Sequence, residues 1–97
     1  MTAPTVYNVT LTNANAEYSQ QFPAGTARYD FQCRTAHDIR YAFVMGKVAT
    51  PTAPYMTLKA GGAFTSEFLP QNIGQQTLYL ASATAGVVVE IVCHPRT

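Results

Sequence analysis

Four side chains in this chain could bind a soft metal ion: Cys33, His37, Cys93 and His94. Structural zinc sites usually take their ligands in close pairs, such as two cysteines about two to four residues apart. Here Cys33 and His37 span the end of a predicted strand and the loop after it. Cys93 and His94 are adjacent on a predicted strand, so their side chains point to opposite faces. The spacing therefore predicts no metal ligand and no cofactor.

The two cysteines have two other possible states, a disulfide or two free thiols that pack as small hydrophobic side chains. Both lie on the apolar phase of their strands, so both are expected to face the interior. The amino terminus has neither the basic nor the apolar region of a secretory signal, so we expect synthesis in a cytosol, where disulfides are rare. Whether the two strands are neighbours is left open by the sequence.

Residues for covalent or acid–base catalysis are present, but not in a recognisable pattern. Ser19, Ser66 and Ser82 lie outside any Gly-x-Ser-x-Gly elbow. His37 and Asp38 are adjacent in the chain, which is not the arrangement of a catalytic triad. The carboxylates are scattered, and solvation at the surface is their expected role. The sequence therefore predicts no catalytic residue and no enzyme.

The elements that position these residues are short β-strands. In Ala27–Arg34, apolar and polar residues alternate strictly, which places one set of side chains on each face of a strand. Val87–Cys93 is apolar on both faces apart from Glu90, which is typical of a central strand. Turn residues separate about eight such segments, predicted at Val6–Thr12, Glu17–Phe22, Ala27–Arg34, Ile39–Met45, Tyr55–Lys59, Ala63–Phe68, Gln76–Ala81 and Val87–Cys93.

This spacing predicts an all-β fold, a single antiparallel β-sandwich of the jelly-roll kind over residues 1–97. Residues 1–5 are expected to form an extended amino-terminal arm. Gly46–Pro54 and Leu69–Gln75 are predicted loops. The shared phase of the strands predicts a core made of Tyr29, Phe31, Tyr41, Phe43, Leu78, Leu80, Val89 and Ile91.

The chain carries little charge for a soluble protein. Only 11% of its 97 residues are charged and the net charge is +1, whereas about 25% is usual. The few cations are scattered, which argues against direct nucleic-acid binding. No apolar run approaches the roughly 20 residues of a membrane helix. The composition fits a small β-sandwich with a polar but uncharged exterior, and it also fits a protein that buries much of its surface in an assembly, which is the interpretation we favour.

Several runs along most of the chain beyond Asn13 form a motif-like pattern. They are Asn13–Gln20, Phe22–Thr26, Cys33–Ala36, Ile39–Phe43, Lys47–Tyr55, Leu78–Ser82 and Val87–Ile91. Together these runs resemble a family of small virion proteins of tailed bacteriophages, of the head-decoration or cement type. The resemblance implies a structural protein on the capsid exterior, made in the bacterial cytoplasm, that packs against the major capsid protein and its own copies. It implies no catalytic residue.

Two regions are expected to supply part of the contacts. One is the amino-terminal arm, and the other is the Gly46–Tyr55 loop, in which two prolines lower the entropy lost on docking. The residues concerned are Met1, Thr2, Ala3, Pro4 and Thr5 in the arm, and Lys47, Thr50, Pro51, Pro54 and Tyr55 in the loop.

Two other functions compete with the cement interpretation. The first is a carbohydrate- or receptor-binding β-sandwich of a phage tail or head fibre, and the second, ranked last, is a small hydrolase. A sugar-binding module predicts coplanar aromatic rings exposed on one face, whereas a cement protein predicts that such rings lie under a neighbouring chain. The absence of tryptophan weighs against a sugar platform.

Overall fold

The fold, seen in a computed structural model that describes residues 3–67, 69 and 75–96, consists of eight β-strands. Each strand overlaps one predicted segment, so the prediction of about eight short strands is confirmed. No helix occurs among these residues, and hence none that is long and apolar enough to cross a membrane. The strands are β1 (Thr5–Leu11), β2 (Tyr18–Gln21), β3 (Thr26–Cys33), β4 (Ile39–Ala42), β5 (Met56–Leu58), β6 (Ala63–Thr65), β7 (Thr77–Ala81) and β8 (Val87–Pro95).

The strands form two antiparallel four-stranded sheets, in the orders β1-β8-β3-β6 and β2-β7-β4-β5. The first strand pairs with the last, the second with the seventh, the third with the sixth, and the fourth with the fifth. This is the order of a jelly roll, so the predicted fold is confirmed. β8 lies between β1 and β3, which confirms that the strand that is apolar on both faces is central.

The core lies between the two sheets, and its residues follow the predicted phase. Across the β3–β8 ladder, Tyr29 lies opposite Cys93 and Phe31 lies opposite Ile91, all facing inward. Burial of each large apolar side chain contributes about 1.5–3 kcal/mol before the entropy cost. Seven of the eight predicted core residues are buried, namely Tyr29, Phe31, Tyr41, Leu78, Leu80, Val89 and Ile91, and Leu11, Phe22, Ile39 and Cys93 join them.

The prediction was wrong for Phe43, which is 42% exposed. The fourth strand was predicted to reach Met45, but β4 ends at Ala42, the last residue of this strand with a partner in β7. Beyond it the chain leaves the sheet, so side chains no longer alternate between core and solvent. The Phe43 ring contacts Tyr29 and Tyr41 edge-on, with ring centroids 6.1 and 6.4 Å apart. It therefore covers the rim of the core without entering it.

Some predictions fall on residues that the structure does not describe. Met1 and Thr2 of the arm lie outside the described residues, as do Phe68 and most of the loop predicted at Leu69–Gln75. Thr5, predicted as part of the arm, is the first residue of β1 and pairs with Cys93.

Candidate interaction surface

The connection between β4 and β5, residues 43–55, folds back over the outer face of the second sheet. Val48, near its middle, is fully buried against Ala42 of β4, with Ala81 and Tyr79 of β7 in the same cluster. Ala42 and Ala81 face away from the sandwich core, and their small side chains leave room for the valine. The loop is therefore fixed to the sheet by an apolar contact of its own.

Hydrogen bonds from Arg40 hold the same stretch of loop. Its Nε donates to the carbonyl oxygen of Val48 at 2.7 Å, and its Nη2 donates to the carbonyl of Ala49 at 3.3 Å. The same Nη2 also donates to Asn15 Oδ1 at 2.8 Å. Because a guanidinium presents several donors in a rigid plane, one side chain satisfies two loop carbonyls and ties the loop to the β1–β2 connection.

Further contacts fix the two ends of the buried stretch. The backbone N–H of Gly46 donates to Glu17 Oε1 at 2.9 Å, and that of Thr52 donates to the carbonyl of Lys47 at 2.9 Å. Gly46 has a φ of 86°, which favours glycine at this turn. A loop with this many internal bonds loses little conformational entropy when a partner binds.

The anchored loop and the first residue of β5 display five large apolar side chains, which we call the apolar patch: Phe43, Val44, Met45, Tyr55 and Met56. Their exposed fractions range from 36% to 69%. A concavity of about 300 Å³ lies within this region, between Phe43 and Val44 on one side and Pro54, Tyr55 and Met56 on the other. Of the described residues, those that line it are all uncharged. An exposed apolar group of this kind is typical of a protein-interaction site.

The structure brings only some of the predicted contact residues to this patch. Pro54 and Tyr55 line the concavity, whereas Lys47, Thr50 and Pro51 lie in the anchored part of the loop. In the arm, Ala3 and Pro4 are exposed beside β1. β1 and β5 are edge strands of different sheets, and neither Ala3 nor Pro4 lines the concavity, so the structure does not bring the described arm residues to the patch.

Sequence reasoning missed four members of the patch: Phe43, Val44, Met45 and Met56. A signal for three of them was present, because Ala42–Met45 is an unbroken apolar run that ends at Gly46. A strand with one solvated face alternates polar and apolar residues, and this run does not. For Met56 no comparable signal exists.

The outer face of the first sheet carries two groups of paired polar side chains beside apolar residues of β1 and β8. Glu90 of β8 accepts hydrogen bonds from Gln32 Nε2 at 3.1 Å and from Arg34 Nε at 2.9 Å. The two hydrogen bonds, with the charge of Arg34 adding to them, lower the pKa of Glu90 below its usual value. Both oxygens of this carboxylate are thus occupied, which suits a solvated structural role better than proton transfer.

A second polar group lies on the same face around Asp30. Its Oδ2 lies 3.0 Å from His94 Nε2 and 3.8 Å from Arg28 Nη2, while its buried Oδ1 has no hydrogen-bond partner among the described residues. A shallow cavity of about 260 Å³ lies nearby, between Asp30 and Glu90. In the described part of the chain, no group of three or more His, Cys, Asp or Glu side chains could hold a metal ion.

The two cysteines are free thiols that both pack against the core. They lie on neighbouring strands, but Cys93 is opposite Tyr29 and Cys33 is opposite Val89. Four residues of ladder separate them by about 13 Å, whereas a disulfide requires Cα atoms within about 7 Å. Burial raises the pKa of the Cys93 thiol to about 11. The fold therefore rules out a disulfide within one chain.

The two histidines, which are the other possible ligands of a soft metal, lie in different parts of the fold. His94 contacts Asp30 on the outer face of the first sheet, on the opposite side of β8 from the Cys93 thiol. His37 Nδ1 lies 2.9 Å from Thr35 Oγ1 in the β3–β4 connection.

Comparison with known proteins identifies no relative. The chain matches no protein-family model, no curated protein and no solved structure.

Proposed function

We propose that this protein is a structural component of a tailed-phage virion that decorates and stabilises the capsid, by packing against the major capsid protein and its own copies. The observation that carries the proposal is the apolar patch, held on a rigid sandwich by an anchored loop. The resemblance of the sequence runs to head-decoration proteins supports the same assignment, and it alone suggests the phage context.

The size of the molecule suits binding through one face. A standard protein interface buries about 800 Å² on each partner, which is roughly one seventh of the 5573 Å² accessible surface of this chain. The patch would supply the apolar centre of such an interface, where aromatic and methionine side chains are enriched.

The loop that carries the patch is also held firmly in place. Cement function requires a protein that resists deformation between shell subunits, and the patch does not depend on a flexible segment for its shape. Val48 and Arg40 fix the loop to the sheet, so binding need not order it first. Each copy adds only a small binding free energy, and many copies together stabilise the shell.

The competing function, carbohydrate or receptor binding by a fibre module, is less well supported by the patch. Sugar sites combine an aromatic platform with side chains that bind hydroxyl groups. Among the described residues that line the concavity, only Tyr41 and Tyr55 have side-chain hydroxyl groups, and the Tyr41 side chain is buried. Jelly rolls occur in viral capsid proteins and in lectins alike, so the fold itself does not decide between the two.

The test uses heads of the phage that encodes this chain, prepared with and without it. We expect the chain to co-purify with intact heads, and heads lacking it to lose DNA at a lower temperature. Adding back the purified chain should restore the original temperature. Heads of equal thermal stability, together with a chain that is absent from purified heads and binds a glycan array, would contradict the proposal and favour the fibre module.

A further inference from the structure

The edge strand β1 differs from the other sheet edges. It has seven residues, Thr5–Leu11, whereas the remaining edge strands in the described sheets, β2, β5 and β6, have four, three and three. Within the described part of the chain, β1 pairs with β8 on one side only. Alternate residues of β1 therefore leave backbone N–H and C=O groups without strand partners along its outer side.

Natural proteins usually protect a long edge with charged residues, proline or a bulge. The sequence of β1, TVYNVTL, has no charged residue and no proline, and its ladder with β8 is regular throughout. Val6, on the outer face, is 65% exposed. Within Thr5–Leu11, β1 therefore has none of these three protective features.

The core-facing side of β1 is also incompletely covered. Tyr7 and Val9 pack against the core but are only partly buried, although their partners across the ladder, Ile91 and Val89, are fully buried. A strand added to β1 would place its own inward side chains beside Tyr7 and Val9. Strand addition would thus satisfy backbone groups and cover apolar surface at once.

We propose that β1 is a self-association site, at which the β1 strand of a second copy adds antiparallel to give a continuous eight-stranded sheet. The strand is complementary to itself in the register centred on Asn8. That register places Val6 opposite Thr10 on the outer face and Tyr7 opposite Val9 on the inner face. Asn8 lies opposite its own copy on the two-fold axis.

Charge and symmetry favour a second copy over an unrelated strand. The pairing is isologous, so it closes as a dimer and leaves no free β1 edge for further growth. β1 contributes no charge to it, and the net charge of +1 opposes the approach of two copies only weakly. The proposal deepens one part of the proposed function, contact between copies, but its failure would leave the capsid test unaffected, because β1 contributes no residue to the apolar patch.

The first test measures mass by sedimentation over a range of protein concentrations. We expect a dimer, with twice the 10.5 kDa mass of one chain. In the proposed pairing, the double variant V6K/T10K places a lysine of one copy opposite a lysine of the other at two places. It should raise the dissociation constant of the dimer by at least about tenfold. The control S19K/Q21K adds the same charge at exposed positions of the β2 edge and should leave it unchanged. A chain that stays monomeric, or equal weakening by both variants, would overturn the proposal.

The second test fixes the register. Asn8→Cys should form a cross-linked dimer on oxidation, because the two side chains meet at the axis. Thr10→Cys should not, because its two copies lie about 13 Å apart along the pair. The parent chain, with its own two inward-facing cysteines, is the blank. If Thr10→Cys cross-links as fast as Asn8→Cys, the proposed pairing is wrong.

Discussion

The anchoring of the loop by Val48 makes a quantitative prediction for Val48→Ala. The substitution removes two carbon atoms from a side chain with no exposed surface. At about 0.8 kcal/mol for each buried carbon, the transfer contribution is about 1.6 kcal/mol. The cavity left between Ala42, Ala81 and Tyr79 adds to it, so the free energy of unfolding should fall by about 2 kcal/mol.

The matched control is Val44→Ala, the same chemical change in the same loop at a side chain that is 57% exposed. Its cost should stay within about 0.5 kcal/mol. Thermal unfolding measures both, and for a domain of this size 2 kcal/mol corresponds to a fall in Tm of about 8–16 °C. Hydrogen exchange gives a second measurement, since the amides of Gly46 and Thr52 should exchange faster in Val48→Ala. If the two variants match in both measurements, Val48 does not anchor the loop.

Three further predictions concern the core and its ionisable groups. Phe31→Ala should lower the free energy of unfolding by about 3–5 kcal/mol, whereas Phe43→Ala, at a ring 42% exposed, should cost less than half as much in the same denaturant titration. Burial raises the pKa of Tyr29 to about 12. The neutral Tyr29 hydroxyl therefore stabilises the fold fully below pH 10, and this stabilisation is lost as the pH rises from 10 towards 12. Tyr29→Phe should reduce the loss of stability that unfolding experiments show at alkaline pH. Cys93 should not react with a thiol reagent at pH 7 until the protein unfolds, and electrophoresis without reductant should show no intrachain bridge to Cys33, whereas rapid labelling of Cys93 in the native protein would contradict its burial.

Much of the sandwich was predictable because its strands alternate so regularly. In β3, three inward-facing apolar residues alternate with three outward-facing polar ones, and the structure has the same alternation. β8 was recognised as central because both of its faces are apolar. Alternation of polar and apolar residues within a strand is enough to predict which side chains face the core when only one face of that strand is buried.

The apolar patch could not be predicted in the same way, because it depends on contacts between distant residues. The site that Val48 fills is made by Ala42 and Ala81, which come together only when β4 pairs with β7. Arg40 reaches Asn15 and two loop carbonyls across separate connections. No periodicity within the 43–55 segment reports these contacts, so the first of its exposed side chains were assigned to a longer fourth strand.

The distance between the two cysteines could not be predicted from the sequence either. Both side chains were expected to face inward, and both do. Their separation of four ladder positions follows from the register between β3 and β8, which the sequence of either strand alone does not determine.

Capsid binding through the apolar patch is tested most directly by measuring how tightly patch variants bind heads that lack this protein. Met45→Glu/Met56→Glu places two charges in the exposed patch, and Ala83→Glu/Ala85→Glu places the same two charges in the exposed turn before β8. Co-sedimentation across a concentration series gives the affinity of each variant for the heads. The patch variant should bind at least about tenfold more weakly than the parent chain, and the turn variant should bind equally well. Equal binding by all three proteins would contradict a role for the patch in capsid decoration.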